Sequence, residues 1–227
     1  MSEQQSHKDV IEEVNETLTG TEQWIEKYIK PISITAVAVI VAVTGFFAYR
    51  HFVLAPKEVQ AQSQLFKGEF YFQADSFRVA LDGNGGDYEG LLAIIDQYGS
   101  TDAGNLAKAY AGLSYKSLGE YDKAISLLSE FGANDQLVSP AIIGAVGDCY
   151  VELGKATEAV DFFIQAAAAG SNDLISPVYL KKAGIAYESL GQYSEAVAVY
   201  TQIKEEYPSS MEAADIVKYI ERAKLGK

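Results

Sequence analysis

The chain has 227 residues, 48% hydrophobic and 22% charged, with a formal net charge of −13. A surface of that sign repels phosphate backbones, which argues against nucleic acid as a partner. With one apolar run set aside, about 170 residues remain, enough for one soluble domain of ordinary size.

The first 31 residues carry seven acidic side chains against three lysines. Within this acidic tail (1–30), Val10, Ile11, Val14, Leu18, Ile25, Tyr28 and Ile29 recur at helical spacing, broken by Thr19-Gly20-Thr21. The pattern leaves two readings open, a short amphipathic helix that docks on a partner or membrane and a partly ordered tail. An acidic face disfavours anionic lipid.

From Ile32 to Tyr49 eighteen residues pass without a charge, and the apolar character extends past Arg50 and His51 to Leu54. At a rise of about 1.5 Å per residue, a helix over 31–54 crosses a hydrocarbon core of about 30 Å. A signal peptide has a shorter apolar core behind a short basic stretch. Here the preceding stretch is long and acidic, and no small-x-small pattern follows Phe46-Phe47-Ala48-Tyr49-Arg50. We therefore expect an uncleaved anchor, with a buried core helix as the alternative. Trp24, Tyr28 and Tyr49 suit the two interfaces. Lys27 and Lys30 before the span nearly balance Arg50, Lys57 and Lys67 after it, so charge leaves the orientation open.

In the connector, 55–100, Val59, Phe66, Phe70, Phe77 and Leu81 fall along one helical face after Pro56. The helix is expected to end at Asp82-Gly83-Asn84-Gly85-Gly86-Asp87. That acidic run lacks the ligand spacing and bidentate glutamate of an EF-hand and reads as a plain turn. A second helix then runs from Tyr88 and Leu91-Leu92 through Ile95 to Tyr98, which makes the connector a diverged helical pair.

Over 101–208 one set of residues returns three times: Gly112, Tyr115, Leu118, Gly119 and Ala124; Gly147, Tyr150, Leu153, Gly154 and Ala159; Gly184, Tyr187, Leu190, Gly191 and Ala196. The offsets are 35 and 37 residues. A period of about 34 residues marks a helix-turn-helix solenoid, an all-α fold. Gly112, Gly147 and Gly184 are expected to meet Ala124, Ala159 and Ala196 where two helices approach closely. Gly119, Gly154 and Gly191 are expected to close each first helix in the left-handed conformation. Ser139-Pro140 and Ser176-Pro177 read as helix starts. Cys149, beside Tyr150, reads as a small buried core residue and says nothing of redox compartment.

At the end, 209–227, Ser209 with Glu212 reads as a capping box, and Ala213, Ile216, Val217 and Ile220 face inward on a helix that closes the solenoid. Catalytic patterns are absent. The two histidines, His7 and His51, lie in the tail and at the membrane edge, and no phosphate loop, metal-spaced His and Cys cluster or nucleophile elbow occurs. We expect no enzyme activity, no cofactor, no metal and no small-molecule substrate.

These residues resemble the tetratricopeptide repeat family. The third copy adds Tyr193, Tyr200 and Pro208, and the first keeps Tyr121. Lys108, Ile143 and Leu180 stand where the family has an early tryptophan, and Ala156 replaces the turn tyrosine of the second copy. The resemblance implies a concave groove lined by the inner helices. By alignment it receives Leu106, Ala109, Leu113, Lys116 and Ser117, then Ala141, Gly144, Asp148, Val151 and Glu152, then Val178, Lys181, Ile185, Glu188 and Ser189. Members that grip a terminal carboxylate cluster lysine, arginine and asparagine where this chain has Ala109, Leu113, Gly144 and Asp148. The resemblance therefore implies an extended or helical apolar segment as the occupant. The alternative is that several of these residues only pack on the preceding repeat.

The layout of acidic tail, single span, helical connector and C-terminal repeats resembles the ancillary subunit family of the bacterial Sec translocon. That resemblance implies a single-pass inner-membrane protein with a cytoplasmic tail and periplasmic repeats. Its implied partners are the translocon, a membrane-anchored prolyl isomerase and secretory client chains. The expected function is an accessory or chaperone-like adaptor. Two alternatives are a structural scaffold subunit of an envelope assembly and a regulator that signals through the tail.

Overall fold

The computed structural model describes residues 28–31 and 33–226. Most of the acidic tail, with its proposed amphipathic helix, Trp24 and His7, lies outside the described residues. The chain divides into two compact units, Met1–Pro56 and Lys57–Lys227.

In the first unit, α1 covers residues 28–49, apart from position 32, and leads into a π-helical stretch, Arg50–Leu54. Its described side chains are almost all exposed. The helix Tyr28–Gln73 is long and apolar enough to cross a membrane.

The second unit is an all-helical, tetratricopeptide-like solenoid. It comprises α2 (Ala55–Gln73), α3 (Phe77–Asp82), α4 (Leu91–Tyr98), α5 (Asp102–Ser117), α6 (Tyr121–Ser129), α7 (Val138–Glu152), α8 (Ala156–Gly170), α9 (Ser176–Ser189), α10 (Tyr193–Glu206) and α11 (Ile216–Leu225). A short 3-10 turn, Glu212–Ala214, precedes α11. The pairs α5/α6, α7/α8 and α9/α10 are the three repeats.

Each repeat turns on its second glycine. Gly119, Gly154 and Gly191 have φ of +76°, +70° and +70°. Around the first, Gly119 N donates to Lys116 O at 3.0 Å and Glu120 N to Tyr115 O at 2.9 Å. The same two bonds recur at Gly154 and Gly191. This is the Schellman closure, which only a residue free of Cβ penalty adopts cheaply.

The first glycine of each repeat lets the second helix approach closely, and a large side chain fills the space. A Cβ on Gly112 would lie 2.6 Å from the Leu128 side chain, on Gly147 2.7 Å from the Phe163 ring, and on Gly184 2.2 Å from the Tyr200 ring. Each partner stands 16 residues on, one helical turn after the buried Ala124, Ala159 or Ala196. The nearest contact is thus a large side chain seated on a bare backbone, and at Gly147 the expected Ala159 lies beside it, its carbonyl 3.3 Å from that Cβ position. Such seating fills the core at native density.

The connector differs as well. Its first helix stops at Gln73, with Asp75 in the left-handed region at φ 53°, and resumes as α3. Ala61, Leu65 and Gly68 are the buried positions of α2, with Gly68 under Tyr88 and Leu91. Of the residues read along one apolar face, Val59, Phe66 and Phe70 are 68%, 74% and 65% exposed, whereas Leu81 is fully buried. The glycine-rich loop is a turn closed by the protein itself: Asn84 Oδ1 accepts from Gly86 N and Tyr88 N, while Lys67 and Asn84 both donate to the Asp87 carboxylate. The Lys67 hydrogen bond is the main reason that the Asp87 carboxyl is lowered to about 2.

Helix starts also move. Asp135, not Ser139, caps α7, its carboxylate accepting from Leu137 N, Val138 N and Ser139 N at 2.8, 2.6 and 3.1 Å. Before α9, Asn172 Oδ1 accepts from Leu174 N and Ile175 N, while Ser176 Oγ donates to Ala167 O. Both serines sit next to proline inside the first turn, past the capping position. At the C-terminus Ser210, not Ser209, accepts from Ala213 N, and Val217 faces solvent. Ile216, Ile220 and Ala223 pack inward.

Candidate functional site

The inner helices α5, α7 and α9 follow one another at the repeat distance, and a cleft of about 670 Å³ opens across them. Lys116 comes from the end of α5 and Asp148, Val151 and Glu152 from α7. Ala156 and Phe163 belong to α8, and Lys182, Ile185, Ala186 and Ser189 to α9, with Leu190 just beyond. Val151 and Ile185 are 48% and 47% exposed, so these branched side chains face open space although they sit on well-packed helices.

The charged residues are ordered. Lys116 Nζ donates to Asp148 Oδ2 at 2.9 Å, and Lys182 Nζ donates to Asp148 Oδ1 at 2.7 Å. Lys182 also lies 5.6 Å from the centroids of both the Phe163 and Tyr179 rings. Measured from the repeat glycines, the three members sit at plus four, plus one and minus two. The row thus steps back one helical turn per repeat. Glu152, one turn beyond Asp148, accepts from the Tyr121 hydroxyl at 3.4 Å.

Behind the row, Cys149 is fully buried, and burial pushes its thiol up to about 11, so it stays protonated and unreactive at neutral pH. The Tyr179 hydroxyl is likewise raised, first by burial and then by the Asp148 charge. What the arrangement can do is bind: an apolar floor with one fixed cation-anion-cation row.

Of the residues predicted for the groove, Lys116, Asp148, Val151, Glu152, Ile185 and Ser189 line this cleft. Ala109 is buried, and Leu106 and Leu113 pack against the core. Gly144 lies beneath Tyr179, whose ring occupies the space that a Cβ would need. These four pack within and between repeats, which is the alternative left open above. Ser117 and Ala141 are exposed outside the cleft lining, and Val178 is half-buried.

Lys181 and Glu188 are taken by the closing helix. Lys181 Nζ donates to Asp215 Oδ1 at 2.8 Å and stands over the Tyr219 ring. Glu188 accepts from Arg222 and from the Tyr200 hydroxyl. Sequence reasoning missed Lys182, Phe163 and Leu190. The available signal was opposite charge at one repeat's distance, Lys116 to Asp148 to Lys182.

Comparison with known proteins agrees with this architecture. Residues 179–210 match the tetratricopeptide repeat family. They span α9, α10 and the start of the closing segment, the copy richest in the expected residues. Among solved structures, a kinesin light chain-type protein of Podosopora anserina with nearly identical TPR-like repeats is similar at a TM-score of 0.54 and 17% identity. The match covers 74% of this chain and 86% of that one, and a point variant of the same protein matches equally. At that identity the likeness is one of fold. No curated protein sequence matches the chain. A tetratricopeptide repeat is a protein-binding module, and protein–protein interaction is the role to which this match points.

Proposed function

We propose that the protein is a membrane-anchored adaptor whose cleft across α5, α7 and α9 receives an apolar segment of another protein. It serves as an accessory or chaperone-like subunit at the secretory translocon of a bacterial inner membrane, with the repeats on the periplasmic side. The observation that supports binding is the cleft itself, where Val151 and Ile185 stand half-exposed beside a fixed charged row. The apolar run 32–54 supports the anchor, and the layout's resemblance to the ancillary translocon subunits supports the location.

The energetics suit an adaptor. A cleft of mixed character holds any one client weakly, and tethering beside the exit site raises the local client concentration. A permanent scaffold would present a larger and more continuous apolar face.

In-cell photo-crosslinking from Val151 and Ile185, with Glu205 on the exposed side of α10 as control, tests the proposal. Capture of translocon components and a spread of secretory chains from the cleft positions is expected. One dominant envelope partner would replace it with the scaffold reading, and equal capture from all three positions would remove the cleft from the account.

A further inference from the structure

The outer face of α2 stays apolar where neither the core nor the cleft uses it. Val59, Phe66 and Phe70 are mostly exposed, and among the described residues of the unit Lys57–Lys227 no other phenylalanine is. At about 100° per residue the three side chains fall within about 40° of one another. The buried Ala61, Leu65 and Gly68 lie on the opposite side of the helix. The exposed Gln62, Ser63 and Gln73 complete the outer face, so no charged residue stands within about 60° of its centre. The flanking charges turn to their own chain. Lys67 meets Asp87, Glu69 meets the Tyr110 hydroxyl, and Glu58 accepts from Asp102 N and Ala103 N.

Val59 and Phe66 stand seven residues apart, with Ser63 between them and Phe70 four further on, which is the spacing of a heptad seam. Such a seam complements itself, because in a parallel helix pair each residue meets its own copy across the axis. An anchor supplies the parallel arrangement. Copies in one membrane share one orientation, and α2 continues the helix Tyr28–Gln73 that holds the apolar run, so two seams start level. Two chains of net charge −13 repel each other, and this face lets them meet without burying a charge. The three side chains offer about 400 Å² per copy, about 800 Å² for a pair, under the about 1,200 Å² of the smaller stable interfaces. Alone the face is too small to hold a pair in solution. Confinement to one membrane raises the effective concentration and makes up the difference. Resting on the anchor of the adaptor reading, we infer that α2 pairs in parallel with α2 of a second copy through Val59, Ser63, Phe66 and Phe70. The assembly then carries two clefts, and a client that engages both is held more tightly than by either.

The test oxidises single-cysteine variants of the full-length protein in its own membranes with copper phenanthroline. Ser63→Cys sets a thiol in the seam without removing an apolar side chain, and the native Cys149 is buried. Lys57→Cys, about 160° around α2 from Val59, and Glu205→Cys on α10 are exposed controls. Ser63→Cys is expected to give a disulfide-linked band at twice the chain mass, and the controls should stay at the chain mass. Adding Phe66→Glu and Phe70→Glu should abolish that band. Both phenylalanines are exposed, so the triple variant should melt like Ser63→Cys. If Ser63→Cys stays at the chain mass in a protein that resists alkaline carbonate extraction, the pairing is overturned and the anchor stands. Equal bands from all three positions report random collision and overturn it too. An adduct at any other mass identifies a different occupant and also overturns it. Extraction of the chain by carbonate would remove the anchor and the pairing together, while crosslinking from Val151 and Ile185 judges the cleft separately.

Discussion

Arg222 grips Glu188 with a fork, Nε and Nη2 each 2.9 Å from a different carboxylate oxygen. Glu188 lies on α9 and Arg222 on α11, so this contact fastens the closing helix to the last repeat. The same carboxylate accepts from the hydroxyl of Tyr200 at 2.8 Å, and Tyr200 is fully buried. The hydrogen bonds to Glu188, followed by the charge of that carboxylate, hold the Arg222 guanidinium above its usual range. A residue predicted to touch a partner thus serves the solenoid's end.

Glu188→Ala is accordingly a stability mutation. It strands a buried hydroxyl and frees the guanidinium, and the expected loss is about 1–3 kcal/mol. Urea unfolding measures it. Glu188→Gln, which keeps an acceptor for Tyr200, should lose less.

Gly184→Ala should destabilise despite the better helix propensity of alanine. The gain is about 1 kcal/mol, but the new methyl would meet the rigid Tyr200 ring at 2.2 Å, and overpacking of that kind costs about 1–3 kcal/mol. Gly112→Ala meets the Leu128 side chain, which can rotate, so its melting temperature should fall less.

The Asp135 carboxyl titrates below the ordinary carboxylate range, chiefly because Leu137 N donates to it, with Val138 N and Ser139 N adding to the effect. A folded value below the unfolded one means that the stabilisation is present above about pH 3.9 and disappears as pH falls through the folded value. Asp135→Ala should therefore be less stable than the native chain at pH 7, and the difference should close below about pH 3.9. Chemical denaturation across pH measures the closing gap.

Cys149 should resist alkylation. Its thiol is fully buried and pushed up to about 11, so iodoacetamide at pH 8 should modify it only after denaturant unfolds the repeats. Rapid labelling of the native protein would contradict the described core.

How much of this was legible in the sequence depends on how local each signal is. Gly119, Gly154 and Gly191 end helices through bonds within six residues, so their spacing alone announces the turns. Which face of α2 packs inward was not legible, because that helix has two apolar stripes. Periodicity finds both, but it cannot tell that small Ala61 and Gly68 admit Tyr88 and Leu91, leaving Phe66 and Phe70 outside. The groove was half legible. Matching positions rung by rung placed Asp148 and Ile185 on the cleft, but the charged row runs diagonally across the repeats, so Lys182 lay three positions before Ile185, the rung-mate of Asp148. Lys181 and Glu188 were misassigned for another reason: what claims them is α11, and no repeat alignment contains it.

The central claim is that other proteins bind the cleft at Val151 and Ile185. We would purify the full chain from detergent-solubilised membranes and compare co-purified proteins for the native sequence, the double variant Val151→Asp with Ile185→Asp, and Glu205→Lys at an exposed position of α10. Both cleft side chains are about half exposed, so the double variant should melt like the native protein. The account predicts that it loses the partners that the native chain and Glu205→Lys retain. Retention of the same partners by a folded double variant would contradict it.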